Sequence, residues 1–448
     1  MMNVSQLWQG RHVIVLGLGI SGQSAARFLL KRGAKVVGID SSREVLEQPR
    51  IKELSENGMR VFHESLFREM DSFECMIISP GISSTHPLYC EAKKLGLEVI
   101  GEVELACRSL SKPCLGITGT NGKTTTTLLT THILNSAGKK AFALGNIGNP
   151  LTAALDDETC QHADIYVIEL SSFQLETFQC RCMDAGVILN ITPDHLDRYG
   201  TMEKYALAKI GLKHTLKHGK RLIVEGACLQ AFRPFFEEGQ FFSYGYSKEC
   251  TLYTDMHTVY MEGDPIFSLP LSYQNKRSHD VENMMASFIL CKEMGINVEQ
   301  FLAGFQSFQK PAHRIEFVRR RAGVTFYDDS KGTNIDAVIR AVESIKGPII
   351  LIAGGIDKGA PYSPWINAFE GKVKMIYAIG QSSVKIRDEL QPHFSVWCCQ
   401  TLEEAVKLAA KEAHEGDTVL LSPGCSSYDM FKDYVHRGQE FQRIVNAL

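Results

Sequence analysis

An apolar run at Pro113–Ile117 leads into a glycine- and threonine-rich string, GITGTNGKTTTT, over Gly116–Thr127. A strand that feeds a glycine turn and then a helix is the repeating unit of an α/β sheet. The turn needs backbone freedom, and the helix start presents unpaired N–H groups. The usual phosphate loop has four residues between its first glycine and Gly-Lys-Ser/Thr. Here Gly116 and Gly122 enclose five, with Gly119 among them. The chemistry survives the change. Backbone N–H groups from Thr120 to Lys123 can cradle phosphate oxygens, Lys123 can neutralise β/γ charge, and the Thr124 hydroxyl can reach Mg²⁺. Gly119, Thr120, Asn121, Gly122, Lys123, Thr124 and Thr125 are therefore the expected ATP contacts. A plain helix-cap loop would not require Gly-Lys-Thr behind a buried strand.

The same alternation of short β-branched runs and amphipathic segments continues through the chain and predicts mostly parallel sheets. With 448 residues, two to four domains are expected at about 100–200 residues each. Three blocks separate: 1–106, 107–309 and 310–448. The first has strands at His12–Leu16 and Lys35–Ile39, a helix at Gly22–Lys31, and an apolar run, Cys75–Ile78. The second adds strands at Ile165–Ile168 and Gly186–Leu189. An antiparallel edge or hairpins are expected over Leu222–Leu271, then helices at His279–Met294 and Val298–Phe308. Lys310-Pro311 marks the next boundary, because proline disfavours helix before it. Strands follow near Val324–Tyr327, Pro348–Ile352, Lys374–Ala378 and Thr418–Leu421, and a last helix from about Asp429.

A second glycine string, GLGISG at Gly17–Gly22, follows the first strand, opens a helix, and is answered by Asp40 at the next strand end. Alone, this pattern signals dinucleotide binding, and its bland reading is a tight turn that packs helix on sheet. A block of about 106 residues is short for a complete dinucleotide fold, and a second phosphate loop follows at once. A nucleotide other than NAD is expected, at Gly19, Ile20, Ser21, Asp40, Ser41, Ser79, Pro80 and Gly81.

The net charge of −3 offers no basic field for nucleic acid or an anionic membrane. Thirteen scattered cysteines without a C-x-x-C pair predict buried, reduced thiols and a cytoplasmic protein. The N-terminal apolar run, Val13–Leu16 before the first glycine, is too short for a signal segment. No run reaches the ~20 residues of a membrane span.

Further strings carry polar residues into expected loops. They are GNIGNP with Asn146, IELSSFQLE with Glu169 and Ser171, NITPDHLDRYGT with His195, Lys209 in a helical segment, and HDVEN with Asn283. After residue 310 come AHRIE with Arg314, YDDSKGTN with Asp329, Lys331 and Thr333, GGIDKG with Lys358, and LSPGCSSYDMFKDYVHRG with Ser427, Tyr428 and Tyr434. With GTNGKT, these strings resemble the Mur ligase family, which also includes folylpolyglutamate synthase, over essentially the whole chain. The resemblance implies an N-terminal Rossmann-like UDP-binding domain, a central P-loop-type ATPase domain and a C-terminal Rossmann-like domain.

ELSSFQLE and DHLDRYG look like the D-glutamate-adding branch. That branch implies UDP-N-acetylmuramoyl-L-alanine and D-glutamate as substrates, ATP as co-substrate and an acyl phosphate intermediate, in a monomer. The resemblance further implies two Mg²⁺ ions held by Thr124, Glu169, His195 and Lys209, with Lys209 carrying a CO₂-derived carbamate. Without it, Lys209 reads as a solvated helix lysine. Asn146 and Ser171 match positions beside the sugar-nucleotide. Arg314 and Asp329 match ATP contacts, and Lys331 a position at the reacting centre. Thr333, Lys358, Ser427 and the flanking Tyr428 and Tyr434 match the amino-acid pocket. Asp280 replaces an asparagine of the adenine-side string, which leaves Asn283 as the expected adenine contact. Tyr428 and Tyr434 also depart from the family pattern. Two alternatives remain: a sibling ligase with a diamino-acid or folyl-glutamate acceptor, and a nicotinamide-dependent oxidoreductase with an accessory ATPase.

Overall fold

The computed structural model describes residues 7–236, 241–275 and 277–448. Residues 1–6, part of the stretch read for a signal segment, and 237–240, part of the stretch expected to form hairpins, lie outside the described residues. Three sheets carry the fold.

The first sheet has five parallel strands in the order Arg60–His63, Lys35–Asp40, His12–Leu16, Cys75–Ile78, Glu98–Gly101. Its central strand shows why the run is continuously apolar. Val13 and Val15 enter one core, while Ile14 and Leu16 enter the core on the opposite face. Successive side chains alternate faces, and helices cover both.

The second sheet runs Asp264–Ser268, Thr258–Met261, Leu252–Thr254, Phe241–Gly245, Leu222–Glu225, Ala185–Ile188, Cys114–Thr118, Ile165–Glu169, Ala141–Gly145. The antiparallel edge or hairpins expected over Leu222–Leu271 are found in its later part, at the edge of the sheet, and not in its earlier part. Leu222–Glu225 and Phe241–Gly245 extend the parallel sheet, and antiparallel pairing begins only between Leu252–Thr254 and Thr258–Met261. The helix Gly226–Ala231 lies between those two parallel strands. Glu225 caps it by accepting from the N–H groups of Ala227 and Cys228 at 2.9 and 2.7 Å.

The third sheet runs Glu316–Arg321, Val324–Asp328, Thr418–Leu421, Ile349–Gly354, Val373–Ile379, Ser395–Cys398. Only its first pair is antiparallel. At its far edge Trp397 and Cys398 are exposed. The last helix is Tyr434–Ala447 and not a helix from Asp429. Asp433 caps it by accepting from His436 N–H at 2.8 Å. Asp429 instead accepts from Gln381 N–H at 2.9 Å.

The chain forms two compact units. One holds the first two sheets, ending at Ile191 and resuming over Ala206–Phe308. The other holds the third sheet together with Thr192–Tyr205. No helix among the described residues is long and apolar enough to cross a membrane.

Candidate active site

The phosphate loop joins the fully buried strand Cys114–Thr118 to the helix Lys123–Ser136. Gly119 and Gly122 have φ of 153° and 85°, the left-handed region that disfavours side chains. A Cβ on Gly122 would also meet Asn283 Oδ1 at 2.5 Å. Asn283, the expected adenine contact, is buried and accepts from the Thr126 hydroxyl at 3.1 Å, so it braces the loop from below. Asn190 braces it from the side. Thr120 N–H donates to the Asn190 carbonyl and Asn121 N–H to its side chain, at 2.9 and 2.8 Å. Those two N–H groups, expected in the phosphate cradle, hold the loop's shape.

Lys123 Nζ donates to the carbonyl oxygens of Gly119 and Thr120 at 2.8 and 2.9 Å. Lys209 Nζ donates to the same Gly119 oxygen at 2.8 Å. Lys209 is 1% exposed, so the solvated-lysine reading does not hold. The two amines lie no farther apart than twice that hydrogen-bond length. Two ammonium ions at such spacing repel each other.

Glu169, at the end of the strand Ile165–Glu169, is buried. Its Oε1 accepts from Asn146 Nδ2 at 2.9 Å. Its Oε2 is buried with no hydrogen-bond partner. A buried carboxylate oxygen without a donor is costly, and a bound cation satisfies it. Oxygen donors of this kind suit Mg²⁺. Ser171 serves as the N-cap of Ser172–Leu175, in a reciprocal capping box with Gln174.

His195 sits in the second unit, in left-handed backbone with φ of 54°. Its neighbour Asp194, buried, pairs with Lys358 Nζ at 3.1 Å and accepts from Asn334 Nδ2 at 3.4 Å. Lys358, expected in the amino-acid pocket, is thus held by a carboxylate. Asp329 is buried, accepts from the Ser422 hydroxyl at 2.7 Å, and burial pushes its carboxyl up to about 7. Arg314 is the cation that opposes this rise. Lys331 Nζ lies 3.9 Å from the centre of the Tyr434 ring, a cation–π contact that sets Tyr434 beside the lysine expected at the reacting centre. Ser427 is buried, Thr333 half-buried, and Tyr428 is 72% exposed.

Sequence reading missed Asp194 and Arg437. Arg437 is fully buried, donating to the Ser330 hydroxyl, the Ser330 carbonyl and the Cys425 carbonyl at 3.0, 2.8 and 3.2 Å. It joins the YDDSKGTN and SPGCSS loops. Both residues stood inside strings already singled out, but their partners are remote in sequence.

In the first sheet, Asp40 accepts from the N–H groups of Leu18 and Ser42 at 2.7 and 2.8 Å. Ser79 Oγ donates to the Gly17 carbonyl at 2.7 Å. Both residues therefore shape the Gly17–Gly22 loop. Ser21 and Pro80 are half-buried; Ile20, Ser41 and Gly81 are exposed. Gly19 and Ile20 line a cavity of about 450 Å³ together with Gln23, Gln48, Pro49 and Arg50. The last four were not anticipated.

Three family profiles match in succession: the Mur ligase MurD-like N-terminal domain over residues 11–101, the Mur ligase middle domain over 117–291, and the Mur ligase glutamate ligase domain over 313–425. The chain belongs to the Mur ligase family. It is 50% identical over 440 residues to the UDP-N-acetylmuramoylalanine--D-glutamate ligase of Protochlamydia amoebophila, covering 98% of each chain. It is 37% identical over 464 residues to the enzyme of that name from Caldanaerobacter subterraneus subsp. tengcongensis, again covering 98% of each. Among solved structures, a UDP-N-acetylmuramate-alanine ligase from Thermotoga maritima superposes with a TM-score of 0.59 at 16% identity, over 98% of this chain and 99% of that one. The MurF ligase from Thermotoga maritima, in complex with ADP, gives 0.60 at 17%, over 100% and 97%. At such identity these two establish the three-domain α/β fold alone.

Proposed function

We propose that this chain joins D-glutamate to UDP-N-acetylmuramoyl-L-alanine at the expense of ATP, through an acyl phosphate, as a cytoplasmic monomer that makes peptidoglycan precursor. The observation that carries this reading is half-identity, over 98% of both chains, to a ligase of that name. The proposed domains are 1–106 for the UDP substrate, 107–309 for ATP and 310–448 for the amino acid.

The reaction needs a carboxylate and a γ-phosphoryl group held in line, with charge neutralised and water kept away. Lys123 and the start of the helix Lys123–Ser136 are the proposed phosphate contacts. Lys331 and Arg314 supply further positive charge, each such contact being worth roughly 3–4 kcal/mol in comparable sites. Bound Mg²⁺ supplies Lewis-acid neutralisation of phosphoryl charge. Thr124, Glu169, His195 and a carbamate on Lys209 are its proposed ligands. The unpartnered Glu169 oxygen supports the first metal position. The crowding of Lys209 and Lys123 around one carbonyl supports the carbamate, because only a neutral amine captures CO₂. Thr333, Lys358 and Ser427 are the proposed contacts of the incoming glutamate, whose two carboxylates call for cations and hydroxyls.

The test is phosphate release from ATP in the presence of UDP-N-acetylmuramoyl-L-alanine and a panel of amino acids. Turnover with D-glutamate, and not with L-glutamate or diamino acids, is expected. Equal rates with D- and L-glutamate, preference for a diamino acid, or oxidation of NAD(P)H in place of ligation would overturn the reading.

A further inference from the structure

The helix Leu151–Leu155 begins at Pro150, which offers no side-chain cap. An uncapped helix start leaves N–H groups to be satisfied from elsewhere. Here the missing cap comes from the first domain. Glu102 Oε1 accepts from the Thr152 N–H at 2.6 Å and from the Thr152 hydroxyl at 2.5 Å. Thr152 occupies the second helical position, one of the two whose N–H an N-cap side chain usually takes. Glu102 is buried and opens a helix of its own, Glu102–Cys107, so its carboxyl stands at two helix N-termini together.

Thr152 extends the chain of bonds in the other direction. Its hydroxyl also meets Ser24 Oγ at 2.7 Å. Because the single Thr152 proton goes to Glu102, Ser24 is the donor in that contact. Ser24 belongs to the helix Ile20–Lys31, which opens at the Gly17–Gly22 loop. On the opposite side of Pro150, the Gly145–Pro150 segment carries Asn146. The Asn146 N–H donates to the Glu169 carbonyl and its Nδ2 to Glu169 Oε1, both at 2.9 Å.

We propose that Glu102 is a positioning residue for the ligase reaction: it caps the Leu151–Leu155 helix from the first domain and so holds Asn146 against Glu169. The inference rests on the functional reading above. Through Ser24 it also ties the nucleotide-loop helix of the first sheet to the metal-side carboxylate of the second. Burial pushes the Glu102 carboxyl up, so a neutral acceptor of the same reach should replace it.

The test uses the full chain and three variants: Glu102→Ala, Glu102→Gln and Thr152→Val. Two quantities are read: amide hydrogen exchange in the ligand-free protein, and the Mg²⁺ concentration for half-maximal turnover. In Glu102→Ala, exchange over residues 145–155 should quicken about fivefold, the equivalent of a lost helix cap, while the strand Ile165–Glu169 stays protected. The Mg²⁺ requirement should rise severalfold with the KM for D-glutamate unchanged. Glu102→Gln should restore both, and Thr152→Val should shift both in the direction of Glu102→Ala. Unchanged exchange over 145–155, or a lowered melting temperature with an unchanged Mg²⁺ requirement, would overturn the proposal. If Glu102→Ala does not fold, the other two decide, and a Glu102→Gln variant as impaired as Thr152→Val would overturn it. Absence of ligation in the unmodified chain would sink the functional reading, while the exchange measurement would still judge the role of Glu102.

Discussion

Two lysines donating to one carbonyl oxygen concentrate much of the site's chemistry in single residues. Lys209→Ala should lower turnover by about 10²–10³-fold, the usual cost of removing a preorganised charged group, without unfolding the protein. If Lys209 carries the proposed carbamate, added acetate or formate should recover part of it, by returning an anionic oxygen ligand. Full activity without added carboxylate would return Lys209 to a structural role. Asp329 gives a pH prediction. Its folded-state value of about 7 lies above the unfolded value near 3.9, so the folded state binds the proton more tightly. The stability that follows is present at low pH and is lost as pH rises between those two values. Denaturant titrations should show the wild type losing stability relative to Asp329→Asn from pH 4 to pH 7. A constant difference would contradict the assignment. At this scale the motifs marked which strings to look at, not the part that each residue plays in them. It was not legible for Asp194 or Arg437, whose partners, Lys358 and Ser330, lie 164 and 107 residues away.

Among elements, interior strands were legible because burial on both faces demands a continuous apolar run, as in His12–Leu16 and Thr418–Leu421. Every strand outside the sequence reading lies at the edge of a sheet: Arg60–His63, Glu98–Gly101, Ala141–Gly145, Glu316–Arg321 and Ser395–Cys398. Edges bury less and tolerate charge, as RVFH and EFVRRR illustrate, so the apolar signal fades where pairing is one-sided. The start of the last helix was misplaced for a related reason. Asp429 and Asp433 are both good caps by composition, and only tertiary contact decides between them. Asp433→Ala should cost about 1 kcal/mol, read as an earlier denaturation midpoint. It should also raise the Mg²⁺-ATP KM, since Tyr434, the first helical residue, lies against Lys331. A midpoint shift without any kinetic effect would separate that helix start from the site.

For the whole molecule, alternation and two glycine loops sufficed for the three-domain α/β plan. They could not reveal that Thr192–Tyr205 packs with the third sheet, because the ion pair and hydrogen bonds around Asp194 leave no local trace in the sequence. The first domain offers a further test. Calorimetry on the full chain should detect UDP and not NAD. Arg50→Ala, on the wall of the cavity beside Gly19, should weaken UDP about five- to tenfold, roughly one charge-assisted contact. Tight NAD binding without UDP binding would end the assignment. The exposed edge of the third sheet has a practical consequence. Of thirteen cysteines, nine are buried, three half-buried, and Cys398 alone is exposed. A maleimide dye added to the native protein should therefore attach first at Cys398, and Cys398→Ser should abolish that fast phase. The second unit thus comes with its own attachment point for a fluorophore, ready for solution optics without mutagenesis.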